Sequence, residues 1–162
     1  MKKLAVLLVM MTCFVGAARA EVIGGFWSVD FGHSAPQATA QMEKNSAVLV
    51  FDSLDHRLGR TMLWRGTFYD KPCLVQMWFG NSGLWRTQVS FKTSESVPNL
   101  ASDLLSLLTS KYGTPSTSAV REGTVHSWRT MQKTLDMTVA PGTSSTQYDT
   151  VLTYTDRARA PK

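Results

Sequence analysis

Apolar and polar residues alternate with a period of two along most of this chain, and the departures from that rhythm mark two helices. Residues 22–31 read as a strand, with Trp27, Val29 and Phe31 on one face and Ser28 and Asp30 on the other. Gly32-His33 ends it. Ser34, three residues ahead of Gln37, has capping-box spacing and starts a helix that runs to about Lys44. Pro36 is tolerated in its first turn, and Ala35, Ala38 and Met42 fall on one side.

A β-rich stretch follows. Ala47–Leu54 is almost continuously apolar, the composition of a strand buried at the centre of a sheet. Thr61–Tyr69 sets Met62, Trp64 and Phe68 on one face, and Cys73–Phe79 and Leu84–Lys92 flank Gly80-Asn81-Ser82-Gly83. Connections this short join antiparallel neighbours, so the spacing predicts a four-stranded meander. The second helix runs from about Pro98 to Tyr112. Leu100, Leu104, Leu107 and Leu108, with Leu105 at the shoulder, form a wide apolar stripe, Gly113 closes the helix, and Pro115 prevents its continuation. Residues 114–123 read as a polar loop. Strands are expected near Thr124–Thr130, Met131–Val139 and Gln147–Thr155, with a turn at Pro141–Ser145. The fold class this predicts is α+β: a curved, mostly antiparallel sheet with two helices on one face. The recurring order of helix then strands implies two α-βββ modules sharing that sheet.

The first 20 residues do not join this pattern. Met1-Lys2-Lys3 precedes an apolar run from Leu4 to about Val15, and Gly16-Ala17-Ala18-Arg19-Ala20 ends it with small residues at the positions of a cleavage site. This is the form of a secretory signal peptide, and the run is short for a membrane span. Val9-Met10-Met11-Thr12 ahead of Cys13 lacks the small-residue pattern of a lipidation site. The chain therefore divides into a leader at 1–20, a single domain at 21–156 and a flexible tail at 157–162, and the mature protein is expected to be periplasmic or secreted. No later segment is apolar enough to span a membrane.

Removing the leader changes the charge. The full chain carries 17 Lys and Arg against 12 Asp and Glu, but Lys2, Lys3 and Arg19 leave with the leader. A nearly balanced domain without a basic stripe argues against a nucleic-acid partner. The leader also takes Cys13, so Cys73 is the one cysteine left. The fold must be held by packing rather than by an intrachain disulfide.

Candidate chemistry is sparse, and no cofactor is indicated. Cys73 is a potential nucleophile with His33, His56 or His126 as base, yet it sits at a strand start with no nucleophile signature around it. Asp52, Asp55 and His56 are possible metal donors without a second ligand pair at recognisable spacing. His33 lies beside Asp30 and Ser34, but Ser34 is the helix cap. Three Trp-Arg pairs carry more: Trp64-Arg65, Trp85-Arg86 and Trp128-Arg129, each within an expected strand. Adjacent strand residues point to opposite faces, so tryptophans turned to the helices put the three arginines on an open face. With Thr67, Gln88 and Ser127 near them, such a face fits an acidic protein or an anionic envelope polymer.

Phe26-Trp27 ahead of Phe31-Gly32-x-Ser34, the helix end Lys111-Tyr112-Gly113-x-Pro115, and Trp128 in the following strand make the chain resemble a group of uncharacterised small exported bacterial envelope proteins built from helix-plus-meander units. Their architecture is similar to β-lactamase-inhibitor-protein-like modules, which mostly bind other proteins. The resemblance implies a fold and a binding role. It carries over no functional residue, because each shared motif is a cap, a turn or a core aromatic. The function expected is a non-enzymatic periplasmic binding module for a protein or envelope component, an inhibitor or immunity-type protein being one version. The alternative is a small periplasmic enzyme using Cys73 or a histidine. Expressed with its leader in a bacterium, the protein should accumulate as a chain beginning at Glu21, read as the intact mass of the purified product.

Overall fold

The computed structural model describes residues 22–55, 59–92, 99–121, 123–140 and 149–161. The expected leader with Cys13, His56 and the expected turn at Pro141–Ser145 lie outside the described residues. The chain opens on a small hairpin, β1 (Gly25–Phe26) and β2 (Val29–Asp30), where one continuous strand was expected. Trp27 and Ser28 both take positive φ, 59° and 63°, and form a two-residue turn of the kind that matches strand twist. Each costs roughly 1 kcal/mol for a residue with a Cβ. Packing offsets it: the Trp27 ring stands edge-on to Phe68 at 6.1 Å, and Asn45 donates from Nδ2 to the Trp27 carbonyl at 3.0 Å. Gly66 makes room for this ring, since a Cβ there would lie 2.8 Å from it. The period-two reading failed because Trp27 and Ser28 turn the chain, which leaves Trp27 half-buried against Phe26 and Phe68 rather than on one strand face with Val29 and Phe31.

Helix α1 (Ala35–Lys44) follows, its Ser34 N–H donating to Gln37 Oε1 at 2.8 Å, and it buries Ala38 and Met42. Next come β3 (Val48–Asp55), β4 (Gly59–Phe68), β5 (Lys71–Gly80) and β6 (Gly83–Phe91). Helix α2 (Leu100–Tyr112) precedes β7 (Ser116–Val120), β8 (Gly123–Arg129), β9 (Lys133–Val139) and β10 (Thr150–Asp156). Strands β3 to β10 form one open sheet of eight, in the order β3-β4-β5-β6-β10-β9-β8-β7, with every pairing antiparallel.

That order reads the same from either end. Each half is a helix followed by a four-stranded meander, and the last strands of the halves, β6 and β10, pair at the centre. The expected module was α-βββ; the extra strand of the second half is β7, which lies in the stretch read as a polar loop. The register supports a pseudo-twofold axis through the β6–β10 seam. Trp64 pairs with Val75 and Val75 with Val89, while Trp128 pairs with Leu135 and Leu135 with Tyr154. Trp64 and Trp128 are therefore equivalent positions, as are Arg65 and Arg129.

One face of the sheet carries the core. Met62, Trp64, Val75, Met77, Val89, Leu152, Tyr154, Leu135, Met137 and Trp128 are buried there with Leu100, Leu104 and Leu108 of α2 and Met42 of α1. Both helices and the β1–β2 hairpin pack on this face. Phe26 meets Tyr154 at 5.9 Å, and Trp128 donates from Nε1 to the carbonyl of Gly113 at 2.7 Å, fixing the end of α2 to β8. Residues 157–161, expected as part of a flexible tail, are tied down: the Arg157 N–H donates to the Gln132 carbonyl, and Arg159 reaches Ser82 O at 3.0 Å and the buried Asp156. Met131, expected to open β9, lies fully exposed ahead of that strand. No helix among the described residues is long and apolar enough to cross a membrane.

The largest correction concerns β3. Its apolar run was expected at the sheet centre, yet among the described residues β3 pairs only with β4 and ends the sheet, with Val48, Leu49, Val50, Phe51 and Leu54 exposed. An apolar run states that a strand is suited to burial; it does not state which neighbour supplies the burial.

The α2 stripe is the strongest link between helix and sheet. Leu104→Ala should destabilise the fold by about 2–5 kcal/mol in urea unfolding, whereas Ser106→Ala, on the exposed side of the same turn, should stay within about 0.5 kcal/mol.

Candidate binding face

The second face of the sheet is covered by no described element. Its middle row runs Leu63–Gln76–Gln88–Thr153–Asp136–Ser127–Ser116 from β4 to β7. On one side of it lies the row Thr61–Trp78–Arg86–Thr155–Thr134–Arg129, and on the other the row that begins Arg65–Leu74–Ser90–Val151. Most of these side chains are polar and half-buried, the normal condition of a sheet face that meets water.

The three Trp-Arg pairs divide. At β4 and β8, Trp64 and Trp128 are buried in the core while Arg65 and Arg129 are exposed, so simple alternation holds. At β6 it does not. Trp78 pairs with Arg86 but Phe79 pairs with Leu84, which leaves Trp85 as the extra residue of a β-bulge. Trp85 is half-buried beside Gly80 instead of joining the core with Trp64 and Trp128. Its indole N–H and the Nε of Arg86 are both covered and lack hydrogen-bond partners. The Arg86 guanidinium lies 4.9 Å from the centre of the Trp78 ring, a cation–π contact.

Trp78 was missed by sequence reasoning. Gln76 was the available signal: a single polar residue in Cys73–Phe79 places even-numbered positions outward, and Trp78 shares that parity.

All three arginines share this face but do not converge. Arg86 and Arg129 occupy one row three strands apart, which at about 4.8 Å per strand is roughly 14 Å. Arg65 lies two rows away, near the opposite corner. Among the described residues none of the three has a carboxylate partner. The acid in their midst, Asp136, accepts a hydrogen bond from the Ser127 hydroxyl at 2.5 Å. The face thus offers three spaced cations separated by amide and hydroxyl groups.

The other candidates are committed elsewhere. Cys73 is only 3% exposed, on the core side of β5, and burial pushes its thiol up to about 12. At neutral pH it is a protonated core residue rather than a thiolate. Asp52 accepts two hydrogen bonds from Arg60, which hold its carboxyl below the usual range. His56 lies outside the described residues, and among those described no three His, Cys, Asp or Glu side chains gather as metal donors. Ser34 bonds Gln37, while His33 Nδ1 accepts from the Asp30 N–H at 3.3 Å, so no triad assembles. His126 pairs with Thr117 at 2.9 Å near the β7 edge, on the side away from the arginines.

The fold and this face define an α+β domain with one covered and one open sheet surface. The chain matches no family model, no curated protein and no solved structure.

Burial of Cys73 gives two expected outcomes. Thiol labelling at pH 8 should be slow in the native protein and rapid in urea. A folded thiol raised above its unfolded value contributes stability that is complete below the unfolded value and lost as pH rises toward 12. Unfolding free energy should therefore decline on the alkaline side, and the decline should be shallower in Cys73→Ala.

Proposed function

We propose that this protein is a non-enzymatic binding module of the bacterial periplasm whose open sheet face holds an anionic protein surface or envelope component. The carrying observation is that Arg65, Arg86 and Arg129 stand on a sheet face that no described element covers, with no carboxylate partner among the described residues. An exposed guanidinium presents fixed donors that match carboxylate and phosphate oxygens. The spacing of the three suits a ligand with charges distributed over an extended surface rather than a single small anion. The stacking of Arg86 on Trp78 orders one of them and supplies an aromatic platform at its side. The leader motif supports the periplasmic assignment. The enzymatic alternative is weakened by the burial of Cys73 and by the separate commitments of His33 and His126.

Replacing Arg65, Arg86 and Arg129 together by Glu should abolish capture of the ligand from envelope extract while circular dichroism and melting temperature remain near those of the parent. Capture by the parent should weaken steeply between low and high salt. Undiminished capture by the folded triple variant would remove the arginine face from the proposal.

A further inference from the structure

The exposed apolar edge is a separate feature that the arginine face does not use. Among the described residues strand β3 has one hydrogen-bonded neighbour, β4, and no strand pairs with its other side. Phe51 is 54% exposed on the open side of the sheet, and Leu54 is 72% exposed on the helix side. The strand contains no Lys, Arg or Pro; its charges are Asp52 and Asp55, and its one irregularity is the bulge at Val50.

The pseudo-twofold axis supplies an internal control. Phe51 pairs with Leu63 and Asp52 with Met62; at the equivalent places of the other half, Ser116 pairs with Ser127 and Thr117 with His126. Strand β7 is thus the counterpart of β3; it is shorter, Ser-Thr-Ser-Ala-Val, with three hydroxyl side chains and Val120 as its one exposed large apolar residue. One fold has two topologically equivalent edges, one composed for water and the other not.

We infer that β3 is a homodimer edge, pairing antiparallel with β3 of a second copy so that two eight-stranded sheets become continuous. The side chains of the edge favour this occupant. The Asp52 carboxylate is held by Arg60 and Asp55 also has a partner, so the exposed apolar side chains, rather than a charge, are what the edge presents. The exposed apolar side chains lie on both faces of the strip, Val48 and Phe51 on one and Leu49 and Leu54 on the other, so it is matched by another of the same kind, and an antiparallel dyad closes after two copies. The seam would repeat between molecules the antiparallel joint that β6 and β10 make within one. The bulge at Val50 interrupts the ladder near one end and leaves Phe51–Asp55 regular. An eight-residue edge is about 26 Å long, and pairing it buries on the order of 1,000 Å², the lower limit of a specific interface. The dimer should accordingly be weak, with a dissociation constant of roughly 1–100 μM. This inference does not depend on the arginine face.

The test is sedimentation equilibrium of the protein as purified from cells, from about 1 to 500 μM, a range that brackets the expected constant. The parent should pass from one chain mass to two. Phe51→Lys and Leu54→Lys, on opposite faces of β3, should each stay monomeric at every concentration, while Met131→Lys, at an exposed apolar residue away from the edge, should dimerise like the parent. Hydrogen exchange of the parent provides a second reading that needs no substitution. Amides of 48–55 should gain protection at high concentration while those of 116–120 do not. A parent monomeric at 500 μM, dimers that persist in both lysine variants, or concentration-dependent protection at β7 instead of β3 would overturn the inference.

Discussion

The pairing of β6 with β10 is the joint on which the rest of the molecule depends. Each half is a helix and a meander with one apolar face, and neither half has a complete core. Joining the last strands antiparallel places both apolar faces on the same side, so α1, α2 and the N-terminal hairpin close over a single cluster that spans both halves. Val89 opposite Leu152 and Thr87 opposite Tyr154 form the middle of that cluster, and Phe26 descends onto Tyr154 from the hairpin. If this seam parted, each meander would expose a strand edge and half of an apolar face.

The same joint determines what remains open. With every described covering element on one side, no described element covers the other face of the eight strands, and alternation delivers Arg65 and Arg129 to it from equivalent positions of the two halves. The third arginine breaks the symmetry. A bulge at Trp85 removes that indole from the core, and Arg86 stacks on Trp78 near the seam. Equivalence also exposes a contrast at the two ends of the sheet. The β7 edge carries three hydroxyl side chains and one exposed valine, the β3 edge five exposed valine, leucine and phenylalanine side chains. The surface is therefore unlike itself under its own pseudo-symmetry, and the differences concentrate at the Trp85 bulge with Arg86 and at the β3 edge.

Several features were legible from the residues because they depend on local spacing. The leucine stripe and Gly113 define α2 almost to its ends. Capping chemistry at Ser34 and Gln37 starts α1. Alternation along β4, β5 and β9 sorts inward from outward residues, including the buried Trp64 and the exposed Arg65. Where expectation failed, the deciding contact was distant. Ser116–Val120 has no apolar rhythm and becomes a strand because β8 offers it a ladder. Trp27 enters a left-handed turn because Phe68, Gly66 and Asn45 receive it.

By itself, then, the sequence determined the helices, the meanders, the α+β class and the parity of two of the three Trp-Arg pairs, since each follows from periodicity within one segment and from the chemistry of its caps. Only the tertiary structure decided that the halves meet through β6 and β10, that Trp85 stands on a bulge, and that the most apolar strand lies at an edge. Those are questions of which segment neighbours which. A chain's hydrophobic pattern records how much surface wants covering, whereas the identity of the cover depends on strand order and register, which are written across the whole molecule at once.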